Sequence, residues 1–344
     1  MVANPDKLSG SSMYEVGLVA GVSHQTVFRV LQGSDKVKES TRRRVEDAIA
    51  KLGYKPNLSA RSLVTGRSKI LGIISVESSD TGPISSGTGF EKGFTARARA
   101  RGYFASSATV ADSDPRELET ALDYFLQQNF EGVVVLTPTM EILQALETAR
   151  PELPLVTLGG SAVFPTNSVG LDQTEGAVLA TEHLVALGHK RIAHIAGPSR
   201  RFDAVERQEG WRSTLQRHDL DSSLVWHGDW SARSGSHLAR AVFDSGATAV
   251  FCANDQMALG ILRAAIRDGI DVPANLSVVG FDDIPEAEFF STPLTTVRQD
   301  FVRLGEDSAE LLLSQIDDTI PAGEFLVHPS LVIRDSTRRP GAGQ

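Results

Sequence analysis

Through the first fifth of the chain, apolar positions recur at helical spacing in short bursts; after residue 68 they become compact runs alternating with amphipathic stretches. Ser12-Met13-Tyr14-Glu15 has capping-box spacing and opens a short helix whose Val16, Val19 and Ala20 are expected to face inward. Ala20-Gly21-Val22-Ser23 follows as a small-residue corner. Gly21 suits the tight turn and Ser23 suits the cap of the next helix, which is the sequence form of a helix-turn-helix. On that second helix Val27, Val30 and Leu31 fall on one side, Gln25, Arg29 and Gln32 on the other, with His24 and Phe28 flanking the polar side. A third helix over 39–52 turns Val45, Ala48, Ile49 and Leu52 inward and stops at Gly53. Pro56 and Gly66 then bracket one marginal helical turn, too short to persist alone, which reads as a hinge that orders on binding.

Beyond the hinge the pattern predicts strands over 70–76, 103–109, 132–136 and 155–158, separated by helices over 90–100, 114–128 and 140–149. A second series follows, with helices over 175–187, 206–217, 232–243, 256–267 and 301–315. Its strands are expected over 192–196, 224–227, 249–252, 277–280 and 331–334. Repeated strand-helix units of this length imply parallel sheets with helices on both faces, and their number is better housed in two lobes than in one. A ligand would then sit between lobes at the carboxyl ends of the strands.

Charge changes this picture. The whole chain carries −9, yet residues 1–69 hold twelve Lys and Arg against six Asp and Glu, a net of +6 that leaves −15 on the remainder. A small basic end on a large acidic body is the asymmetry of a protein that meets phosphate at one end only. A single cysteine, Cys252, excludes an internal disulfide framework, and no apolar run is long enough to cross a bilayer. The polar N-terminus carries no secretory signal, so a cytoplasmic location without membrane contact is expected. An enzyme is poorly supported: Gly87, Gly89 and Gly93 miss the dinucleotide-binding spacing by one residue, and Cys252 shares no local signature with a histidine.

The residues then become recognisable. Ala20-Gly21-Val22-Ser23, Gln25-Thr26-Val27, Arg29-Val30-Leu31, Leu52-Gly53-Tyr54 and Pro56-Asn57 resemble the N-terminal domain of the lactose repressor family of bacterial transcription factors. In the body the blocks Leu187-Gly188-His189, Gly210-Trp211, Ala253-Asn254-Asp255-Gln256-Met257, Ser277-Val278-Val279-Gly280-Phe281-Asp282 and Thr295-Thr296-Val297-Arg298-Gln299-Asp300-Phe301 continue the resemblance over about residues 12–335. They are closer to sugar-responsive than to purine-responsive members. The resemblance implies an all-α helix-turn-helix DNA-binding domain (12–55) after a lead-in (1–11), and a hinge helix (56–67). An α/β two-lobed periplasmic-binding-protein-like domain for effector and dimerisation (68–335) and a tail (336–344) complete the chain.

Arg29 can take guanine O6 and N7 together, Gln25 can pair with adenine, and His24 can donate to a guanine acceptor. The resemblance makes His24 and Gln25 the operator-reading pair with Arg29 alongside, adds Tyr14, Ser23 and Thr26 to the DNA-facing set, and places Asn57, Ala60 and Leu63 in the hinge. Leu63 is the residue expected to wedge into the minor groove, as one of a pair in a homodimer on a pseudo-palindromic operator. Phe28 replaces a small polar residue, and Lys38 replaces a Ser cap while adding a phosphate contact.

In the body, Arg207, Asn254 and Asp282 are the implied polar anchors of a sugar effector. Trp230 supplies its apolar wall, and Gln256, Gln299 and Phe301 line the cleft. Adjacent residues at a strand end point apart, so Asp282 rather than Asp283 is expected to face the ligand. Trp211, Trp226, His183, His189 and His194 read as structural, with no cofactor, metal site or catalytic residue expected. Gly159 and Leu136 stand where the family's lactose-responsive member has a carboxylate and an amide, while Glu77-Ser78-Ser79-Asp80-Thr81 adds hydroxyls in place of an apolar loop. The expected function is a repressor released by a β-galactoside or by a β-glucoside such as cellobiose. The alternatives are a sugar-binding module without a DNA role, or an α/β enzyme. Without a leucine-repeat helix at the end of the chain, dimers rather than tetramers are expected.

Overall fold

The computed structural model describes residues 12–31, 34–54, 67–77, 86–111, 114–136, 139–149, 152–159, 167–319 and 324–341. The hinge residues Asn57, Ala60 and Leu63, and also Gln32 and the stretch 78–81, lie outside the described residues. Contacts divide the chain into two units, 1–68 and 69–344.

In the first unit, helices α1 (Met13–Ala20), α2 (His24–Leu31) and α3 (Glu39–Leu52) close on Val16, Ala20, Val27, Val30, Val45, Ala48 and Tyr54. The capping box forms as its spacing predicts: Glu15 N donates to Ser12 Oγ at 3.2 Å, and Ser12 N donates to Glu15 Oε2 at 2.7 Å. Gly21 ends α1 in the left-handed region at φ 64°, and Ser23 Oγ accepts from Thr26 N at 3.3 Å. Val19 corrects its inward expectation, being 48% exposed. The buried side of α1 instead swings toward Gly17, whose hydrogens face the Val22 carbonyl of the following turn with no room for a Cβ. Lys38 starts α3 with no side-chain cap bond, as expected of a lysine there.

In the second unit one six-stranded sheet has the order β11-β5-β4-β3-β1-β2 and is parallel throughout. It is built from β1 (Ile70–Glu77), β2 (Phe104–Ala111), β3 (Gly132–Leu136), β4 (Leu155–Leu158), β5 (Ser168–Leu171) and β11 (Glu324–Val327). Helices α4 (Ser86–Ala100), α5 (Pro115–Gln127), α6 (Met140–Ala149) and α11 (Phe301–Ile316) accompany it. Gly132-Val133-Val134-Val135-Leu136 shows why this run is apolar without alternation: Val134 enters the core against α4 and α11, while Val133 and Val135 enter the one against α5 and α6.

The other sheet, ordered β12-β10-β9-β8-β6-β7, is built from β6 (Ile192–Ala196), β7 (Val225–His227), β8 (Ala249–Cys252), β9 (Ser277–Asp282), β10 (Thr295–Arg298) and β12 (Ser330–Val332). All its pairings are parallel except β10 with β12. Helices α7 (Gln173–Ala186), α8 (Phe202–Arg217), α9 (Ala232–Asp244) and α10 (Asp255–Asp268) cover it. The chain passes between lobes at Leu171–Gln173, at Gln299–Phe301 and at Val327–Ser330, so α11 follows a second-lobe strand yet packs on the first lobe.

Strands β5, β10 and β11 escape the sequence pattern. In β10 the inward residues Thr295 and Thr296 are fully buried although polar, their hydroxyls donating to the Arg334 carbonyl at 3.2 Å and to Asp255 Oδ1 at 2.6 Å. Helix α8 starts four residues before its expected 206, from an N-cap Arg201 whose side chain does not cap the helix, and α4 starts four residues before 90, through glycines of low helix propensity. Gly89 and Gly93 lie inside α4, not in a phosphate-binding loop, and allow it to approach Phe301 and Val302 of α11.

Two outcomes follow. Gly93→Ala drives a methyl into the Val302 carbonyl and is expected to cost about 1–3 kcal/mol of stability, read as a lower urea midpoint with unchanged slope. Asp255 is buried at the start of α10, and desolvation, aided by the nearby Asp282 charge, raises its pKa from 3.8 to about 8. The folded chain therefore keeps a proton that the unfolded chain has already lost, so stability falls as pH rises from about 4 toward 8. Urea titrations of Asp255→Asn should show that slope reduced; an unchanged slope contradicts the assignment.

Candidate functional site

In the first unit His24, Gln25 and Arg29 are exposed on α2 while Val27 and Val30 are buried behind them. Ser23 and Thr26 are tied together, Ser23 Oγ lying 3.0 Å from Thr26 Oγ1, which fixes the first turn of the helix. Tyr14 on α1 is 65% exposed. Phe28 is half-buried between the polar and apolar sides. A helix end that offers an imidazole, an amide and a guanidinium to solvent from a rigid corner has the donors and acceptors needed to read base edges.

The second unit gathers a closed polar ring from four segments. Arg207 on α8 donates from Nε to Gln173 Oε1 at 2.8 Å; Gln173 Nε2 donates to Gln299 Oε1 at 3.0 Å; Gln299 Nε2 donates to Asp282 Oδ1 at 2.5 Å. The ring closes where Asp282 Oδ1 lies 3.5 Å from Arg207 Nη2. Arg207 is only 4% exposed, and its guanidinium also lies over the Phe281 ring at 3.9 Å and near Trp230 at 5.5 Å. Burial pushes the Asp282 carboxyl up to about 6, against the pull of Arg207 and of the Gln299 amide. Asp283 turns away, accepting from Arg298 at 2.6 Å and from Arg334 at 2.7 Å.

Trp230 stands beside the ring with φ 71°, and Asp282 has φ 106°; both are conformations that cost a side-chain-bearing residue about 1–3 kcal/mol. The Trp230 ring fits because position 197 is glycine, where any Cβ would strike it. Its indole Nε1 is buried with no hydrogen-bond acceptor among the described residues. Asn254 holds this loop in place: its Nδ2 donates to the Trp230 carbonyl at 2.9 Å and to Gln256 Oε1 at 3.1 Å, while its Oδ1 caps α10. Phe301, by contrast, packs against the first-lobe core and Gly89, and no ring contact joins it to Arg207 or Trp230 among the described residues.

Three residues belong here that sequence reasoning missed. Gln173 bridges Arg207 and Gln299 from the first turn of α7; the Asp172-x-x-Glu175 pattern, a helix-start signature, could have found it. Arg201 and Asp203 form a bidentate pair at 3.1 and 2.9 Å, with Arg201 also facing Trp230 at 5.9 Å. Burial works to raise the Asp203 carboxyl, and the Arg201 charge and hydrogen bonds override it, holding Asp203 below the ordinary carboxylate range. Arg201 also forms an antiparallel backbone bridge to Thr139, joining the second lobe to the first.

His183, His189 and His194 serve the core, as does Trp211. His194 is stacked between Trp211 and Phe251 and kept neutral, with desolvation lowering its pKa to about 3. His189 bonds Thr248, Ser277 and the Arg338 carbonyl; His183 bonds Thr337. Cys252 is buried and its thiol pushed upward by desolvation. Among the described residues no helix is long and apolar enough to cross a membrane.

The family model for bacterial regulatory proteins of the lacI family matches residues 12–57, and that for a periplasmic binding protein-like domain matches residues 181–337. The chain is 35% identical to the lactose operon repressor of Escherichia coli strain K12, over 96% of its own length and 91% of the relative's. It is 34% identical to the transcriptional regulator CelR of Thermobifida fusca, over 93% and 96%. Among solved structures, a lac repressor dimer bound to operator and an anti-inducer superposes with a TM-score of 0.87 at 34% identity, covering 96% of this chain and all of that one. A CelR–cellobiose complex superposes at 0.71 with 31% identity, covering 95% and 99%. With a helix-turn-helix unit, a two-lobed unit built around a buried arginine, and likeness along nearly its whole length, the chain belongs to the lacI family of bacterial regulatory proteins.

Proposed function

We propose that this protein is a homodimeric repressor that grips a pseudo-palindromic operator through α2 and is released by a β-linked disaccharide, cellobiose first among the candidates. The observation that carries the effector half is the buried Trp230 indole N–H with no acceptor among the described residues, set beside a guanidinium and a carboxylate. A buried donor of this kind costs about 1–3 kcal/mol unless something accepts from it, and a sugar hydroxyl does so while the indole face covers the C–H side of a pyranose. Arg207 and Asp282 then supply the donor and acceptor that polyols need.

Selectivity has moved away from the first lobe. Leu136 packs into the first-lobe core and Gly159 has no side chain, so neither offers a polar contact, while Arg201 and Asp203 add a charged pair on the second-lobe side. A relative solved with cellobiose supports the choice of sugar. Leu259 and Ile266 lie seven residues apart on α10 and are 38% and 58% exposed, and Phe289 is 79% exposed; such apolar surface supports pairing with a second copy. No reaction is assigned to the ring: it is a binding site in the cytoplasm of a cell that switches genes in response to a sugar.

Operator sequence is best obtained by selection from random duplexes and then measured by fluorescence anisotropy. Arg29→Ala should weaken the selected duplex by about 1–3 kcal/mol and leave unrelated duplexes unaffected. Asp282→Asn should retain operator binding but lose release by cellobiose, because the amide keeps one oxygen to accept from Gln299 and Arg207 but removes the negative charge facing Arg207 and turns the second oxygen, an acceptor for sugar hydroxyls, into a donor. In the unaltered protein, cellobiose affinity should fall as pH drops through about 6 and Asp282 takes up its proton, with operator binding at α2 still measurable. Calorimetry that detects no binding of any β-disaccharide contradicts the effector assignment.

A further inference from the structure

Two of the three crossings between lobes run side by side. Strands β5 and β11 pair in parallel up to Leu171 and Val327, and one residue beyond, Asp172 N donates to the Val327 carbonyl at 3.2 Å. Three side chains meet just past this stitch: Asp172 and Glu175 at the start of α7, and His328 on the other crossing. Their ligand atoms all lie within 4.8 Å of one another. Asp172 Oδ1 caps the Glu175 amide at 2.7 Å, leaving the other carboxylate oxygen for a ligand, and Glu175 Oε2 accepts from His328 Nδ1 at 2.6 Å. Among the described residues neither carboxylate is paired with Lys or Arg, so two adjacent acids face one exposed imidazole with no fixed cation to answer them.

From this placement we propose a binding site for a divalent transition ion at the crossing, with Asp172, Glu175 and His328 as its protein ligands and water completing the coordination. One nitrogen and two carboxylate oxygens suit zinc, cobalt, nickel or manganese; magnesium and calcium prefer oxygen alone. The ion takes the place of the proton between Glu175 and His328 and clips the Val327–Ser330 crossing to the first turn of α7. That turn also carries Gln173 of the polar ring, one residue from Asp172 and two from Glu175. An ion that fixes this turn and a sugar that depends on Gln173 are therefore thermodynamically linked, a consequence that rests on the effector reading above.

The primary test is isothermal titration of the tag-free full-length chain with zinc chloride, manganese chloride and magnesium chloride. Saturable binding of one zinc per chain is expected, with magnesium silent. His328→Ala and Glu175→Gln should each weaken zinc by at least about tenfold, since even outer-shell changes cost metal sites that much. His218→Ala, which removes an imidazole paired with Glu182 elsewhere, should leave it unchanged. Unfolding midpoints of the metal-free variants, expected to match the parent, separate ligand loss from misfolding. Absence of saturable zinc binding, or binding that survives both substitutions, overturns the site. Neither sugar nor DNA enters this readout, so failure of the regulator reading leaves it intact. Cellobiose titration with and without zinc then tests the linkage: a shift lost in His328→Ala supports it, and identical affinities overturn it.

Discussion

A guanidinium withdrawn from water must be answered by charge and hydrogen bonds, and the second unit is arranged around answering Arg207. Its Nε is taken by Gln173, another nitrogen by the Ala253 carbonyl, its charge by Asp282, and its flat faces lie near Phe281 and Trp230. Removing one partner from such a set leaves an uncompensated buried charge, which is far costlier than the pair is stabilising. The partners come from α7, β9, the turn between β8 and α10 and the Trp230 loop, with Gln299 after β10 tying Gln173 to Asp282, so these segments must hold their positions around α8 for the arginine to remain satisfied.

This requirement couples the site to the lobes. Gln173 ends one crossing and Gln299 begins another, so the two amides of the ring sit on the connections between the lobes. A ligand that changes the ring's preferred geometry acts on those connections at once. The positive φ values at Asp282 and Trp230 fit the same logic, since strained backbone persists only where the surroundings over-determine it. Asn254, expected at the sugar site, donates to the Trp230 carbonyl and caps α10, which ties it to the wall beside the ring.

Much of this was legible in the chain because local rules and tertiary needs agreed. The Ser12–Glu15 box, the Gly21 corner, the Asp114 cap before Pro115 and the Gly132–Leu136 run all form at or within a residue of their expected places. Where the rules were overridden, burial explains it. Strand β10 is threonine-rich because its hydroxyls are satisfied inside, which no hydropathy pattern reveals. Helix α8 begins without a capping side chain, hiding Asp203 from view, and α7 begins two residues before expectation, hiding Gln173. Trp230 and Asp282 could be read from the resemblance, but the amide bridge that joins Arg207 to Gln299 required the fold.

The central claim is that one free energy connects the ring to α2. It is tested most directly by measuring cellobiose affinity of the full-length protein by Trp fluorescence, with and without saturating operator duplex, and operator affinity by anisotropy with and without saturating cellobiose. The account predicts that sugar weakens operator binding and that operator weakens sugar binding by the same factor. Sugar that binds with equal affinity in both conditions, while operator binding is likewise unchanged, contradicts it.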